Sequence, residues 1–212
     1  MDNKSCGMPK TADNACSTGK DDGGGKGKCC ATLVKGALIG GIVMFVYISF
    51  SWMVLPWHQA TIMSFKDDQA VAVALYENAE KSGIFVLPRM NQVKDETAAA
   101  VTKPFAFVSV FKDGIDAKNM APQLVQQLLL CLFGALVLTC LLKKISCGCP
   151  VLLSFKVGLL VAAFDHLPCL IWHRFPLDYT LVGMADDVIA ITLAGLVISK
   201  VAFKTGVCTP AA

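Results

Sequence analysis

The stretch VLLSFKVGLLVAAFDHLPCLIW, from Val151 to Trp172, decides how this chain folds. It is apolar over the roughly 20 residues that a helix needs to cross a bilayer. Ionisable residues interrupt it at Lys156 and within FDHLP, residues 164–168. A charged side chain at the centre of a bilayer costs about 2.5–3.5 kcal/mol on insertion scales. We therefore expect Asp165 and His166 either to pair with other residues within a helix bundle or to have a functional role.

The composition is that of a membrane protein. Of the 212 residues, 55% are hydrophobic and 17% are charged, whereas soluble domains carry about 25% charge. The hydrophobic residues are concentrated in four blocks of membrane-spanning length. We predict an all-α membrane fold with four transmembrane helices and a small α/β insertion between the first two. The predicted spans are residues 31–57, 121–143, 150–172 and 185–203, and the insertion covers residues 58–120.

The insertion is predicted to contain one helix and two strands. Ser64 is a suitable N-cap for a helix that reaches about Lys81 and stops before Gly83. Residues 84–87 and 105–111 are rich in β-branched and aromatic side chains, which favour strands. A unit of this size is too small to be stable alone, so we expect it to rest on the spans.

The two ends of the chain are predicted to be tails. Residues 1–30 are rich in glycine and polar residues and cannot bury enough apolar surface to offset their ordering entropy, so we expect disorder. Residues 204–212 form the second tail. The thiolates of Cys6, Cys16 and Cys29–Cys30 can bind a soft metal, but their spacing matches no zinc motif and plain reduced thiols are the alternative. No resident cofactor is predicted.

Basic residues fall on one side of the predicted spans. The short loop on the other side contains only Arg174. The positive-inside rule therefore places both termini in the cytoplasm. The net charge of +3, with no basic cluster interleaved with aromatic residues, gives no case for a nucleic-acid partner. The basic residues of the first side are Lys26, Lys28, Lys35, Lys143, Lys144, Lys200 and Lys204.

Gly36 and Gly40 form a Gly-x-x-x-Gly pair in the first span. Such a pair lets two helices approach closely in a membrane. Packing within the chain is its expected use, and dimerisation is the alternative. The expected partners are the lipid bilayer and either another protein or a second copy of the chain, bound through the bundle or the insertion.

The first span ends in SWMVLPWH, residues 51–58, followed by SFKD at residues 64–67 and SGIFVLP at residues 82–88. These motifs resemble a family of uncharacterised bacterial inner-membrane proteins, over about residues 40–90. Phe175–Pro176 and Asp186 extend the resemblance. It implies a bacterial inner membrane, four spans and a periplasmic location for residues 58–120. The family has no established activity, so the resemblance implies no substrate and no catalytic residue.

All three histidines of the chain are predicted to lie at one membrane level with three carboxylates. Asp165 lies about 22 Å along the third span at the usual helical rise, towards the face where the first span ends and the fourth begins. The candidates for a proton or cation relay are Asp165, His166, Asp186 and Asp187. The candidate metal ligands are His58 and His173.

Three uses of these residues remain open. Intramembrane acids and histidines commonly mark ion paths, imidazole and carboxylate groups also bind divalent metals, and pairing that only holds the bundle together is the third possibility. Neighbouring residues on a helix point about 100° apart. Asp165 and His166 are therefore not expected to face one ligand directly.

The sequence contains no G-x-S-x-G, no phosphate-binding glycine-rich loop and no H-E-x-x-H. We therefore expect a non-catalytic protein. The leading hypothesis is an accessory or structural component of a bacterial envelope complex. The alternative is a small proton- or cation-coupled transporter that uses Asp165 and His166.

Overall fold

A computed structural model of the chain describes residues 23–88, 104–115, 119–144 and 149–203, with side chains from Cys30 onward. The described residues form mostly helix. The helices are α1 (Gly23–Val54), α2 (Trp57–Thr61), α3 (Asp68–Asn78), α4 (Ala121–Lys144), α5 (Pro150–His173) and α6 (Leu177–Val201), and the strands are β1 (Gly83–Leu87) and β2 (Ala106–Val110). The predictions for Cys6, Cys16 and the tail at residues 204–212 fall outside the described residues.

Four of these helices are long and apolar enough to cross a membrane. They are Cys30–Val54, Ala121–Lys144, Pro150–His173 and Leu177–Val201. Two starts differ from the prediction: α1 begins at Gly23, inside the expected tail, and α6 begins at Leu177 rather than near residue 185. The earlier start of α6 decides where Asp186 and Asp187 lie.

Small residues line the interior of the bundle. Ala135, Ala162 and Ala194 are fully buried, whereas Phe164 and Trp172 are each 77% exposed. Lipid tails are as apolar as leucine, so membrane helices associate through small residues that allow close packing. The large apolar side chains on the outside suit contact with lipid.

The helices pair within the chain through glycines. α1 packs against α4 and α6, and α5 packs mainly against α6. A Cβ atom on Gly36 would lie 2.5 Å from Thr139 Cγ2 of α4, and one on Gly40 would lie 2.6 Å from Ile198 Cδ1 of α6. Both glycines of the Gly-x-x-x-Gly pair therefore lie where α1 meets its neighbours in the same chain.

The helix of the insertion is shorter than predicted at both ends. Its N-cap is Asp67 rather than Ser64, because the Asp67 carboxylate accepts a hydrogen bond from the Ala70 N–H at 2.9 Å and so satisfies a donor of the first turn. The helix ends at Asn78 rather than near Lys81, since Ala79 already has an extended backbone.

The two strands form an antiparallel sheet close to the predicted positions. Phe85 lies opposite Val108 in the ladder. Beyond β2, Lys112 Nζ donates a hydrogen bond to the Ala79 carbonyl at 2.7 Å and lies 4.3 Å from the centre of the Tyr76 ring. Lys112 therefore joins the end of the sheet to α3.

Candidate functional site

The connection between α5 and α6 sets the depth of the polar residues. Arg174 ends α5 with a left-handed backbone (φ 58°, ψ 34°), and only residues 174–176 separate the two helices. Asp165 lies eight residues before the end of α5, about 12 Å, and Asp187 lies ten residues after the start of α6, about 15 Å. The two carboxylates therefore reach similar depths on neighbouring helices.

These helices bring together a first group, Asp165, His166 and Asp187. The His166 Nε2 atom lies 3.1 Å from Asp187 Oδ2 and 3.7 Å from Asp165 Oδ2. Although adjacent helical residues point about 100° apart, one ligand atom from each of the three residues lies within 4.8 Å of the others. This group is half-buried to exposed.

A second group is buried and surrounds Asp186. The carboxylate accepts hydrogen bonds from Tyr47 Oη at 3.0 Å and from Ser51 Oγ at 2.7 Å. The His58 Nε2 atom lies 2.7 Å from Asp186 Oδ2. Asp186, Ser51 and His58 are at most 7% exposed. Asp186 was predicted at the mouth of the fourth span, but it lies nine residues inside α6 and joins α6 to α1 and α2.

The interruption of the helix between α1 and α2 brings His58 to this group. In one continuous helix, residues 51 and 58 would lie about 10 Å apart along the axis. α1 ends at Val54, and α2 begins at Trp57 after Pro56. His58 thereby comes within 3.2 Å of Ser51 Oγ, and the Trp52 ring stacks on the imidazole with centroids 3.9 Å apart.

His173 lies in different surroundings from His58. Its ring packs against Phe107 of β2, with centroids 4.0 Å apart, and against Phe175 at 6.2 Å. Its Nδ1 atom is buried without a hydrogen-bond partner among the described residues. The two histidines proposed as metal ligands are thus not brought together, and His173 instead joins the sheet to the end of α5.

A cavity of about 470 Å³ lies between the two groups. This volume falls in the range of small-ligand sites, about 300–1,000 Å³. Asp165, Asp187, His166, His58 and Asp186 all contribute to its walls, and none of the described residues that line it is a lysine or arginine. The cavity therefore contains three carboxylates and no permanently charged cation.

Sequence reasoning missed two members of the buried group, Tyr47 and Ser51. Their spacing of four residues places them on one face of α1, which is a signal that could have identified them together. Their partner could not be inferred, because Asp186 is 135 residues away from Ser51.

Comparison of the chain with protein-family models, with curated proteins and with solved structures finds no match.

Proposed function

We propose that the chain is a small cation-coupled transporter of a bacterial inner membrane. In this proposal both termini are cytoplasmic, and residues 58–120 are periplasmic. The lysines at the ends of α4 and α6 support that orientation through the positive-inside rule. A bundle of four helices is narrow, so we propose a homo-oligomer as the transporting unit.

The observation that carries the proposal is the charge of the cavity. It is lined by Asp165, Asp186 and Asp187, all on helices of spanning length. Ionised carboxylates are costly in a membrane unless a cation or a hydrogen-bonding partner compensates them. A bound cation supplies that compensation without a lysine or arginine in the wall.

The two polar groups favour different functions. Asp186 accepts hydrogen bonds from α1 and lies against His58, so it suits a role in holding the bundle together. Asp165 has a side chain that is 71% exposed, and its carboxylate lies near His166 and Asp187. The part of the site that remains accessible therefore favours ion binding over the accessory or structural role.

The test is ion flux through the purified chain in liposomes. Wild type is expected to carry a tracer cation from a panel of Na⁺, K⁺, Mg²⁺ and Mn²⁺, and Asp187→Asn to reduce its flux at least tenfold. The matched control is Asp178→Asn, an exposed aspartate of the same helix outside the cavity, which is expected to transport as wild type does. Absence of flux in wild type, with a second protein recovered from native membranes, would favour the accessory role. Equal flux in Asp187→Asn would exclude the cavity as the ion path.

The orientation is tested by thiol labelling in intact cells. Residues 59–119 contain no cysteine, so Ser109→Cys, at an exposed position of β2, introduces a unique thiol there. A membrane-impermeant maleimide applied from the periplasmic side is expected to label Ser109→Cys. Cys169 lines the cavity and is itself a possible site of labelling. Cys169→Ser is therefore the background both for Ser109→Cys and for the control, which keeps Ser109. Labelling only after the cells are lysed would reverse the proposed orientation.

A further inference from the structure

We propose that Asp165, His166 and Asp187 bind one divalent first-row transition-metal ion. The ligand atoms are Asp165 Oδ2, His166 Nε2 and Asp187 Oδ2. This inference rests on the proposed function in one respect, since it names the class of cation that the same cavity takes. It concerns binding alone, so it can be tested without transport.

The spacing of the three atoms fits a shared ion. Ligands about 2.0–2.2 Å from a metal lie roughly 3–3.5 Å from each other in tetrahedral or octahedral geometry. The His166 nitrogen is 3.1 Å from one carboxylate oxygen and 3.7 Å from the other. All three ligand atoms lie within 4.8 Å of one another, so side-chain shifts of about 1 Å would bring them to the spacing of a shared ion. The ion would then replace the direct contact between His166 and Asp187.

The ligand types determine the class of ion. Imidazole nitrogen suits Zn²⁺, Fe²⁺ and other transition ions, whereas Mg²⁺ and Ca²⁺ prefer sites made of oxygen alone. Two carboxylates neutralise the charge of a divalent ion. Three protein ligands leave further coordination positions free towards the cavity, and an ion held in this way can exchange.

Gly183 leaves room for the His166 ring between α5 and α6. A Cβ atom at this position of α6 would lie 2.9 Å from both His166 Nδ1 and His166 Nε2, which is too close for the ring to stay where it is. The glycine lets the imidazole of α5 lie directly against the backbone of α6. Gly183→Ala is therefore expected to move the ring without removing any ligand.

The experiment uses the full-length chain in detergent after treatment with a chelator, with Mn²⁺ as the probe. Mn²⁺ prefers oxygen and nitrogen ligands, while thiolates select softer ions, so the cysteines outside the site do not compete. The loss of the free-Mn²⁺ electron paramagnetic resonance signal gives the affinity and is expected to report one site per chain. Removing even an outer-shell partner of a metal site costs about 10–100-fold in affinity. Asp187→Asn and His166→Gln are therefore each expected to weaken binding about 100-fold.

Two matched controls accompany these variants. Asp178→Asn is expected to bind as wild type does, because it changes an exposed carboxylate outside the cavity. Gly183→Ala is expected to weaken binding, whereas Gly134→Ala is not, since a Cβ atom on Gly134 meets nothing within 4 Å. Asp165→Asn changes an exposed position, so it is expected to weaken binding with little effect on folding.

A spectroscopic readout identifies the nitrogen ligand. Pulsed electron paramagnetic resonance of bound Mn²⁺ is expected to show coupling to a ¹⁴N nucleus that disappears in His166→Gln. Equal affinity in wild type and Asp187→Asn, or the absence of nitrogen coupling in wild type, would overturn the metal site. Flux that depends on Asp187 without Mn²⁺ binding would overturn the metal site and support the transporter. Mn²⁺ binding without flux would overturn the transporter and support the metal site.

Discussion

Replacing Ser51 with alanine removes one oxygen atom from the centre of the buried group. Ser51 is fully buried. Its hydroxyl donates to the Asp186 carboxylate, 2.7 Å from one oxygen and 2.9 Å from the other, and accepts from Trp57 Nε1 at 2.9 Å. In the Ser51→Ala variant, Asp186 keeps Tyr47 and His58, while the Trp57 N–H loses this acceptor.

The size of the effect follows from these two bonds. A hydrogen bond to a charged group contributes about 1.5–3 kcal/mol, and one between neutral groups about 1 kcal/mol. Hydrogen bonds between membrane helices have averaged about 0.6 kcal/mol each in double-mutant cycles, so two bonds contribute about 1.2 kcal/mol on that scale. We therefore expect Ser51→Ala to lower the free energy of unfolding by about 1–4 kcal/mol.

The assay is reversible unfolding of the full-length chain in detergent micelles, with Ser64→Ala as the control. Ser64 is exposed in the segment before α3, and its replacement is expected to change the free energy of unfolding by less than about 0.5 kcal/mol. A loss below about 1 kcal/mol in Ser51→Ala would refute the view that the Asp186 group holds α1 to α6. An equal loss in a Ser51→Ala/Asp186→Ala double variant and in Asp186→Ala alone would support direct coupling of the two residues.

Three further predictions concern packing and charge. Gly195→Ala is expected to destabilise the bundle by about 1–3 kcal/mol, because the new Cβ atom would collide with Ser154 Oγ of α5; unfolding in micelles checks this, and a stability equal to wild type would contradict the packing. Asp186→Asn is expected to cost less stability than Asp186→Ala, since the amide oxygen can still accept from Tyr47 and Ser51; the reverse order in the same unfolding assay would contradict this acceptor role. Phe107→Ala is expected to weaken the contact of the sheet with His173 by about 0.5–1.5 kcal/mol. Proteolysis of the insertion is expected to be several-fold faster in Phe107→Ala than in Phe111→Ala, and equal rates would show that Phe107 does not hold the sheet to α5.

Hydrophobicity predicted the four apolar helices and both strands, because these features depend on local composition. The start of α6 was missed because Leu177–Ala185 contains Asp178 and Gly183, which favour a loop when the sequence is read alone. In the structure the glycine faces His166 of α5. A residue that would weaken an isolated helix is thus the one that permits the helices to pack closely.

The candidate site was predicted as a set of residues but not as two groups. Their common level along the helices was predicted from the order of the spans, and all four relay candidates line the cavity. The separation of Asp186 from Asp187 depends on the angle of about 100° between adjacent residues of a helix. It also depends on the interruption of the helix at Pro56, which brings His58 to Asp186. The partners of Asp186 and Asp187 could not be assigned before the helices were placed.

The two groups draw on different segments of the chain, because only a short connection after His173 joins α5 to α6. Asp165, His166 and Asp187 all belong to one contiguous hairpin, residues 150–201, whereas the Asp186 group also needs α1 and α2. Substitutions in the first quarter of the chain can therefore alter how firmly the bundle is held while leaving the accessible carboxylates in place. An insertion of one residue in α6 before Asp187 would instead rotate that carboxylate by about 100° relative to the preceding part of the helix. The accessible carboxylates and the contacts that hold the bundle together can thus vary separately under selection.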